Sequence, residues 1–532
     1  MKMLKRVAIY SSLLPILCSC SMLPELTYKS GTRTNSKIDT HCQFEYLQID
    51  KVNKLQDCKK NVFYPSADGK KILAVLEMDE QGRFIDEEHA QAILNYIQHK
   101  NQNANIANIK KPIVSLYIHG WNHNSRISDE DLHSFRNAVK SLYNSQGIGR
   151  DNTVLTQDQA RDSIGIYVAW RGKVIDPTML NRFVTFWDRK TVSEEVGRGD
   201  LSRFILQLDS EIKGNEDEAK NGTLILSGHS FGASVLYNAI GPVLTSRFYE
   251  SIASQKKDPN VPLKGVGDMI VLLNPAIEAN RFVSLREAVW RAGVKNPQIF
   301  KNNMKPFFMI IGSNGDFPLN NLFPTGRFFG TLSENYLNTS IVEGNSSTNR
   351  LTVKERKMDR RAIGNYPEFY THWLSIKEPI AVDALKINKM TNRMKMIVHV
   401  PDPKPWEDCK INKAWLQNTY AASAGNNWNA TPNVNIYNEP VQISTEFIKN
   451  PAWKRTGLIL RKEPDRTTKS EANPWKKSEA TTWKNNPYWF IRANSRVISG
   501  HNAIWSKDVG CFILSVLVAD SSNTTDVSIT QK

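Results

Sequence analysis

The chain has 532 residues, with 69 lysines and arginines against 53 aspartates and glutamates, and a formal net charge of +16 at pH 7. This length is enough for one large catalytic domain with a substantial insertion, or for two domains. No nucleic-acid recognition motif accompanies the positive charge, so a nucleic-acid ligand is not expected. The charge is consistent with an anionic lipid surface as partner, or with a basic surface that is simply solvated.

The amino terminus has the pattern of an export signal. Basic residues at positions 2, 5 and 6 precede an apolar stretch over residues 7–17, which is too short to span a bilayer. The stretch ends in LCSC, which resembles the lipobox of bacterial lipoproteins. The resemblance implies that residues 1–19 are a signal peptide and that Cys20 receives the lipid. The expected location is the bacterial cell envelope, on the outer membrane or the periplasmic face. An ordinary secretory peptide cleaved nearby is the alternative.

Four cysteines remain after the predicted signal: Cys42, Cys58, Cys409 and Cys511. In an oxidising compartment they predict two disulfides, for which three pairings are possible. Cys42 with Cys58 closes the shortest loop and would leave Cys409 with Cys511. None of the four has metal-site spacing, so neither a metal nor another cofactor is expected.

Alternating apolar runs and helical stripes predict an α/β core. Residues 20–70 show little periodicity and are predicted to be a tether and N-terminal extension. From 71 to 316, continuous apolar runs alternate with amphipathic segments, which is typical of a mostly parallel, doubly wound sheet covered by helices on both faces. Active sites in such sheets lie at the carboxyl ends of the strands. The predicted strands are 71–76, 113–118, 164–170, 223–226, 269–273 and 307–311, and the predicted helices are 87–99, 129–143, 201–212, 231–252 and 282–290.

The alternation stops after residue 316. Residues 317–484 are predicted to be an insertion that caps the site, or alternatively an independent binding domain. Within them, 453–484 is basic with interleaved tryptophans, which indicates either a membrane-surface contact or a solvated loop. Residues 485–519 are predicted to supply the last core strand, a histidine loop and a C-terminal helix, and residues 520–532 a flexible tail.

A pentapeptide, Gly228-His229-Ser230-Phe231-Gly232, joins the strand 223–226 to the following helix. A G-x-S-x-G sequence between a strand and a helix forms a sharp turn that exposes the serine hydroxyl. Its glycines leave room for that turn and for close contact between helix and strand. Ser230 is therefore the candidate nucleophile, although an incidental serine in such a turn is the alternative.

A serine nucleophile needs a histidine base, which a carboxylate orients. In this type of fold the chain order is serine, acid, histidine. Asp316 is the candidate acid because it follows the strand 307–311, and Glu278 is the runner-up. His501 is the candidate base because it follows the last predicted strand, and His372 is the runner-up.

An oxyanion hole requires two backbone N–H donors. Phe231, the residue after the nucleophile, is the first candidate. The second lies in the loop after strand 113–118, where Gly120 permits close approach and the donor is Trp121 or Asn122.

Several of these segments resemble the α/β-hydrolase superfamily, namely HGW at 119–121, GHSFGAS at 228–234, VLLNPA at 271–276 and GHNAIW at 500–505. More narrowly, the chain resembles bacterial lipoprotein and fungal members that share the HGW and GHSFGA motifs. The resemblance implies an α/β-hydrolase fold and a cofactor-independent serine hydrolase, an esterase or lipase that cleaves carboxylic esters through an acyl-enzyme. Acyl transfer on the same triad, and a non-catalytic surface-binding lipoprotein, are the alternatives.

Overall fold

The structure is a computed structural model of the whole chain. It describes residues 33–47, 57–107, 111–144, 146, 160–172, 179–214, 221–301, 306–342, 350–376, 434–435, 458–462 and 486–518.

The described residues form one large sheet of eleven strands, in the order β1-β2-β4-β3-β5-β6-β7-β13-β10-β12-β11, and a separate two-stranded sheet, β8-β9. Eight neighbouring strands, from β2 to β10 in that order, are parallel, and antiparallel strands lie only at the two edges. The strands are β1 (Phe63–Pro65), β2 (Lys71–Glu77), β3 (Ile113–Ile118), β4 (Ser163–Ala169), β5 (Thr223–His229), β6 (Met269–Leu273), β7 (Phe308–Ser313), β8 (Asn338–Val342), β9 (Arg350–Lys354), β10 (His372–Ile376), β11 (Val434–Asn435), β12 (Leu458–Lys462) and β13 (Tyr488–Ala493).

Helices cover both faces of the sheet, and each face has its own apolar core. One face packs against α1, α4, α5 and α6, and the other against α2 and α9. Central strands such as β6 are buried along their whole length, because their side chains meet a helical layer whichever way they point. The described helices are α1 (Glu87–Ile106), α2 (Glu130–Asn144), α3 (Met179–Arg198), α4 (Leu201–Lys213), α5 (Phe231–Gln255), α6 (Val283–Lys295), α7 (Phe323–Gly330), α8 (Glu355–Asp359) and α9 (Lys507–Val518).

The strand order reverses direction at the centre of the sheet. From β3 the chain moves outward to β4, and it then returns to the other side of β3 as β5. Open α/β sheets bind their ligands at such a reversal, outside the carboxyl ends of the strands. The carboxyl ends of β3 and β5 are in register here, with Ile118 opposite Gly228. Ser230 therefore lies at this reversal, because it directly follows β5 in the sequence.

The predicted fold class is confirmed: the sheet is mostly parallel, helices cover both faces, and the architecture is that of the α/β-hydrolase fold. Two parts of the sheet differ from the expected boundaries. β10 and β12 lie within residues 317–484 and extend the main sheet instead of standing apart from it. β1 lies within residues 20–70, the predicted tether and N-terminal extension, where its three buried residues pair with β2. These three strands are short, so none of them produced a long apolar run in the sequence.

Candidate active site

Ser230 lies at the turn between β5 and α5, with a backbone φ of 55° that is uncommon for a residue other than glycine. The neighbouring glycines explain how the turn is tolerated. A Cβ on Gly228 would lie 2.6 Å from the Gly232 carbonyl oxygen, and one on Gly232 would lie 2.1 Å from the Ile118 oxygen. The Ser230 N–H donates to the Leu273 carbonyl at 3.0 Å, and the Ser230 carbonyl accepts from the Ala276 N–H at 3.1 Å, so the backbone of Ser230 is fixed on both sides. The sequence therefore forms a close-packed turn around this serine.

The imidazole of His501 contacts both Ser230 and Asp316. His501 Nε2 lies 2.7 Å from Ser230 Oγ, and His501 Nδ1 lies 2.7 Å from Asp316 Oδ2. Asp316 and Ser230 are almost completely buried, whereas the His501 side chain is 15% exposed. Since the carboxylate accepts from Nδ1–H, Nε2 is left free to accept the serine proton. The structure thus brings together three residues that are up to 271 positions apart in the chain.

The Asp316 carboxylate is fixed by the turn that follows β7. Its second oxygen accepts a hydrogen bond from the Leu319 N–H at 2.9 Å. The Ser313 hydroxyl accepts from the Gly315 N–H at 2.9 Å and donates to the Ile498 carbonyl at 2.5 Å. The acid turn and the loop that carries His501 are therefore hydrogen-bonded to each other.

Two backbone N–H groups are available beside Ser230. Phe231 is the first residue of α5, so its N–H has no acceptor within the helix, and the positive end of the helix dipole adds to it. The Asn122 N–H donates to the Gly172 carbonyl at 3.0 Å, which leaves Trp121 as the candidate donor in the other loop. Gly120 lies directly against the serine, because a Cβ there would be 3.2 Å from Ser230 Cβ.

His119 fixes the conformation of this loop. Its Nε2 accepts from the Trp170 N–H at 3.1 Å, so Nδ1 carries the proton and donates to the Gly120 carbonyl at 2.8 Å. Burial lowers the pKa of His119 to about 4, which keeps the ring neutral. In a trans peptide the C=O and the following N–H point in opposite directions. With the Gly120 carbonyl turned toward His119, the Trp121 N–H points away from that ring.

An aromatic layer lines the crevice on the α3 side. The Phe186 ring lies 5.5 Å from the Trp121 ring and 4.7 Å from the Phe231 ring, measured between centroids. These large apolar side chains suit a site from which water is excluded.

Two residues that sequence reasoning did not assign to the site hold the His501 backbone. Asn274 Nδ2 donates to the His501 carbonyl at 2.8 Å, and its Oδ1 accepts from the Ser313 N–H at 2.9 Å. His229 Nε2 donates to the same His501 carbonyl at 2.9 Å. Asn274 directly follows the buried strand β6, as Asp316 follows β7, so the signal that indicated the acid could also have indicated this amide.

The two runner-up residues lie elsewhere. The Glu278 carboxylate is buried among cations, with ion-pair distances of 2.7 Å to Lys190 and 3.2 Å to both Arg281 and Arg327. His372 lies in β10, four strands from β5, which is about 19 Å at the usual strand spacing. Neither is hydrogen-bonded to Ser230 or His501.

A disulfide joins Cys42 to Cys58, and Cys511 is also disulfide-bonded. Cys20 and Cys409 lie outside the described residues. Within the described ranges no group of three or more His, Cys, Asp or Glu side chains is placed to hold a metal ion. No helix there combines the length and the apolar character needed to cross a membrane.

No known protein family and no curated protein matches the chain. A comparison with solved structures finds the peroxisomal alpha-beta-hydrolase Lpx1 of Saccharomyces cerevisiae, at 13% identity and a TM-score of 0.12. The match covers 36% of this chain, and the chain spans about half, 49%, of the Lpx1 chain. A likeness of this size carries no argument about activity. What the site can do therefore follows from its own geometry.

Proposed function

We propose that this protein is a serine hydrolase that cleaves carboxylic esters, an esterase or lipase. The observation that carries the proposal is the His501 imidazole, with one nitrogen 2.7 Å from the Ser230 hydroxyl and the other 2.7 Å from the Asp316 carboxylate. A serine is a weak nucleophile until a base takes its proton, and this arrangement supplies the base and its orienting acid.

The proposed reaction proceeds through an acyl-enzyme. Ser230 Oγ attacks the ester carbonyl carbon while His501 Nε2 takes the hydroxyl proton, and the Phe231 and Trp121 N–H groups stabilise the negative oxygen. The C–O bond to the alcohol then breaks, and His501 returns the proton to the departing alkoxide oxygen. Water, deprotonated by the same imidazole, attacks the acyl-enzyme, and the acid leaves from a regenerated Ser230 hydroxyl.

We also propose that the protein is exported and held on the bacterial cell envelope by a lipid on Cys20. The support is the sequence at positions 1–20, with its basic start, its short apolar stretch and its LCSC ending. Mass spectrometry of the envelope-purified protein tests this. The expected amino terminus is an acylated Cys20, and an unmodified terminus elsewhere contradicts the anchor.

The nucleophile is tested by replacing Ser230 with alanine. We expect turnover of short p-nitrophenyl esters to fall by at least about a thousand-fold, because no other group can carry the acyl chain. Labelling by a fluorophosphonate probe should disappear together with turnover. Ser227→Ala is the matched control, since its hydroxyl lies on the same strand and donates to the Leu116 carbonyl. Full turnover in Ser230→Ala, or no labelling of the folded native protein, contradicts the proposal and favours a non-catalytic binding protein.

A further inference from the structure

Exposed apolar side chains are concentrated in one segment that directly follows the candidate acid. Ten large hydrophobic residues in the described part of the chain are exposed, and six of them lie within residues 317–337. Single exposed apolar residues are normal on a soluble protein, whereas a contiguous group marks a surface that something covers. We call this group the 317–337 surface; its members are Phe317, Leu322, Phe328, Phe329, Leu332 and Leu337.

The short helix α7 is apolar on both of its sides. Its inner side, Phe323 and Gly326, packs on the Trp187 indole so closely that a Cβ on Gly326 would lie 1.9 Å from the ring. Its outer side carries Phe328 and Phe329, both exposed. A helix at a protein surface normally has one apolar stripe, whereas the second stripe of α7 remains 45% exposed at Phe328 and 62% exposed at Phe329.

The 317–337 surface adjoins the candidate active site. Phe317 is the residue after Asp316, and the rings from α7 to the oxyanion region form a continuous series of contacts. The centroid distances are 5.9 Å from Phe323 to Trp187, 5.3 Å from Trp187 to Phe186 and 4.7 Å from Phe186 to Phe231. A layer of lipid on this surface would therefore lie close to Asp316 and to the aromatic rings beside Ser230.

Basic residues border the surface on one side. Residues 350–361 contain six lysines and arginines and two carboxylates. Both carboxylates are engaged, and among the cations Lys357 is paired with Glu368. Asp359 is paired with Arg327 at 2.6 Å, and Glu355 accepts the Leu337 N–H at 3.0 Å. The Arg360 guanidinium lies 4.7 Å over the Phe328 ring, so the basic border and the apolar surface are in direct contact.

We propose that the 317–337 surface docks on a lipid bilayer that contains anionic headgroups. The outer aromatic and aliphatic side chains of α7 enter the boundary between headgroups and acyl chains, and the basic border of residues 350–361 binds the anionic headgroups. Exposed apolar side chains beside a segment with net positive charge match the apolar interior and the anionic surface of such a bilayer, whereas an uncharged protein partner would not use the positive charge. With the proposed hydrolase activity, on which this step rests, docking makes the substrate an ester lipid delivered from the membrane.

Hydrogen–deuterium exchange on the full-length chain tests the docking without using the activity. Ser230→Ala is present throughout to prevent turnover, and vesicles of phosphatidylcholine alone are compared with vesicles that also contain phosphatidylglycerol. We expect the amides of Phe323–Gly330 to exchange at least about five-fold more slowly with the anionic vesicles. The triple variant Leu322→Ser, Phe329→Ser, Leu332→Ser should lose this protection. The control Ile106→Ser, Tyr249→Ser, which removes exposed apolar residues elsewhere, should keep it.

Two outcomes overturn the proposal. One is that anionic vesicles slow exchange in Phe323–Gly330 equally in the triple variant, or not at all. The other is that the triple variant unfolds at a clearly lower temperature than the control and shows no vesicle effect, which means that the surface packs against this chain itself.

The same substitutions, made in the protein that keeps its native Ser230, separate docking from catalysis. We expect the triple variant to keep its rate on a soluble p-nitrophenyl ester and to lose about ten-fold or more on a vesicle-borne ester, since each buried apolar side chain contributes to binding. If the native protein hydrolyses neither ester, the hydrolase proposal is contradicted. The hydrogen–deuterium exchange result then decides the docking proposal by itself.

Discussion

Asn274 connects the two sides of the candidate active site through a single amide. Its N–H group donates to the loop of His501 and its oxygen accepts from Ser313, in the turn that carries Asp316. Its φ of 42° is a conformation that asparagine tolerates better than most residues. The side chain therefore holds the His501 loop relative to the turn that carries Asp316.

Replacing Asn274 with glycine removes this amide and keeps the positive φ free of strain. We expect kcat to fall by about 10- to 100-fold with little change in KM, because a small displacement of a catalytic group is costly to the reaction and leaves substrate binding intact. Asn274→Asp is the informative partner, since it keeps the acceptor for Ser313 and loses the donor for His501. Steady-state kinetics on a soluble ester gives the result, and wild-type kcat in Asn274→Gly contradicts the positioning role.

His229 provides the second hydrogen bond to the same carbonyl, and burial holds its pKa well below the usual range. The ring is therefore neutral, with its single proton on Nε2. Its other nitrogen lies beside Gly120, where a Cβ would come within 2.9 Å of it. His229 is the second residue of the pentapeptide, and its side chain is hydrogen-bonded to a loop 272 residues away.

At the scale of elements, the loop after β3 is held by charged side chains at the start of α2. His123 Nδ1 lies 3.0 Å from Asp129, which also accepts from the Asn124 N–H at 3.1 Å. Asp131 accepts from the Tyr117 hydroxyl at 2.8 Å and from the Trp505 indole at 2.7 Å. Trp505 follows the His501 loop, so one acidic pair anchors both the loop after β3 and the loop that carries His501.

The charge on His123 predicts a pH dependence of stability. Burial by itself lowers the pKa of His123, but the carboxylates of Asp131 and Asp129 outweigh burial and raise the pKa to about 9. A histidine whose folded pKa is raised stabilises the fold fully below its unfolded pKa of about 6.5, and this contribution is lost as the pH rises through 9. Urea unfolding of the wild type should therefore show a loss of stability between pH 6.5 and 9 that His123→Gln lacks. Equal pH slopes in the two proteins contradict the assignment.

The sequence predicted those elements whose signal is local. β6 was predicted at its true bounds because five consecutive apolar residues are buried on both faces. Ser230 was predicted from its G-x-S-x-G turn, and Asp316 because it follows the strand β7 after a short turn. β10 was missed because His372 and Trp373 interrupt its apolar character, and Asn274 was not assigned because its acceptor lies 227 residues away. Long-range hydrogen bonds of this kind have no counterpart in a sequence window.

At the scale of the whole molecule, residues 33–47 and 57–65 are packed on the core. They lie within residues 20–70, which the sequence predicts to be a tether and N-terminal extension, and the pairing of β1 with β2 was not expected. The buried Arg33 guanidinium donates to the Tyr64 hydroxyl at 2.7 Å and to the Ser125 carbonyl at 2.5 Å. Phe44 is buried in the same apolar core as α2. The N-terminal segment therefore supports the loop after β3, since Ser125 lies within that loop.

The disulfide between Cys42 and Cys58 closes this N-terminal segment, and its removal should lower the stability of the whole fold. The cysteines are 16 positions apart, and a loop of that size restricts the unfolded chain by about 3 kcal/mol. We expect Cys42→Ser, Cys58→Ser to unfold at a lower urea concentration and to keep fluorophosphonate labelling of Ser230 at 25 °C, because neither cysteine contacts the triad. His41→Ala is the control for a change at an exposed neighbour. A double variant as stable as His41→Ala would mean that the packing of residues 33–47 and 57–65 does not depend on this bond.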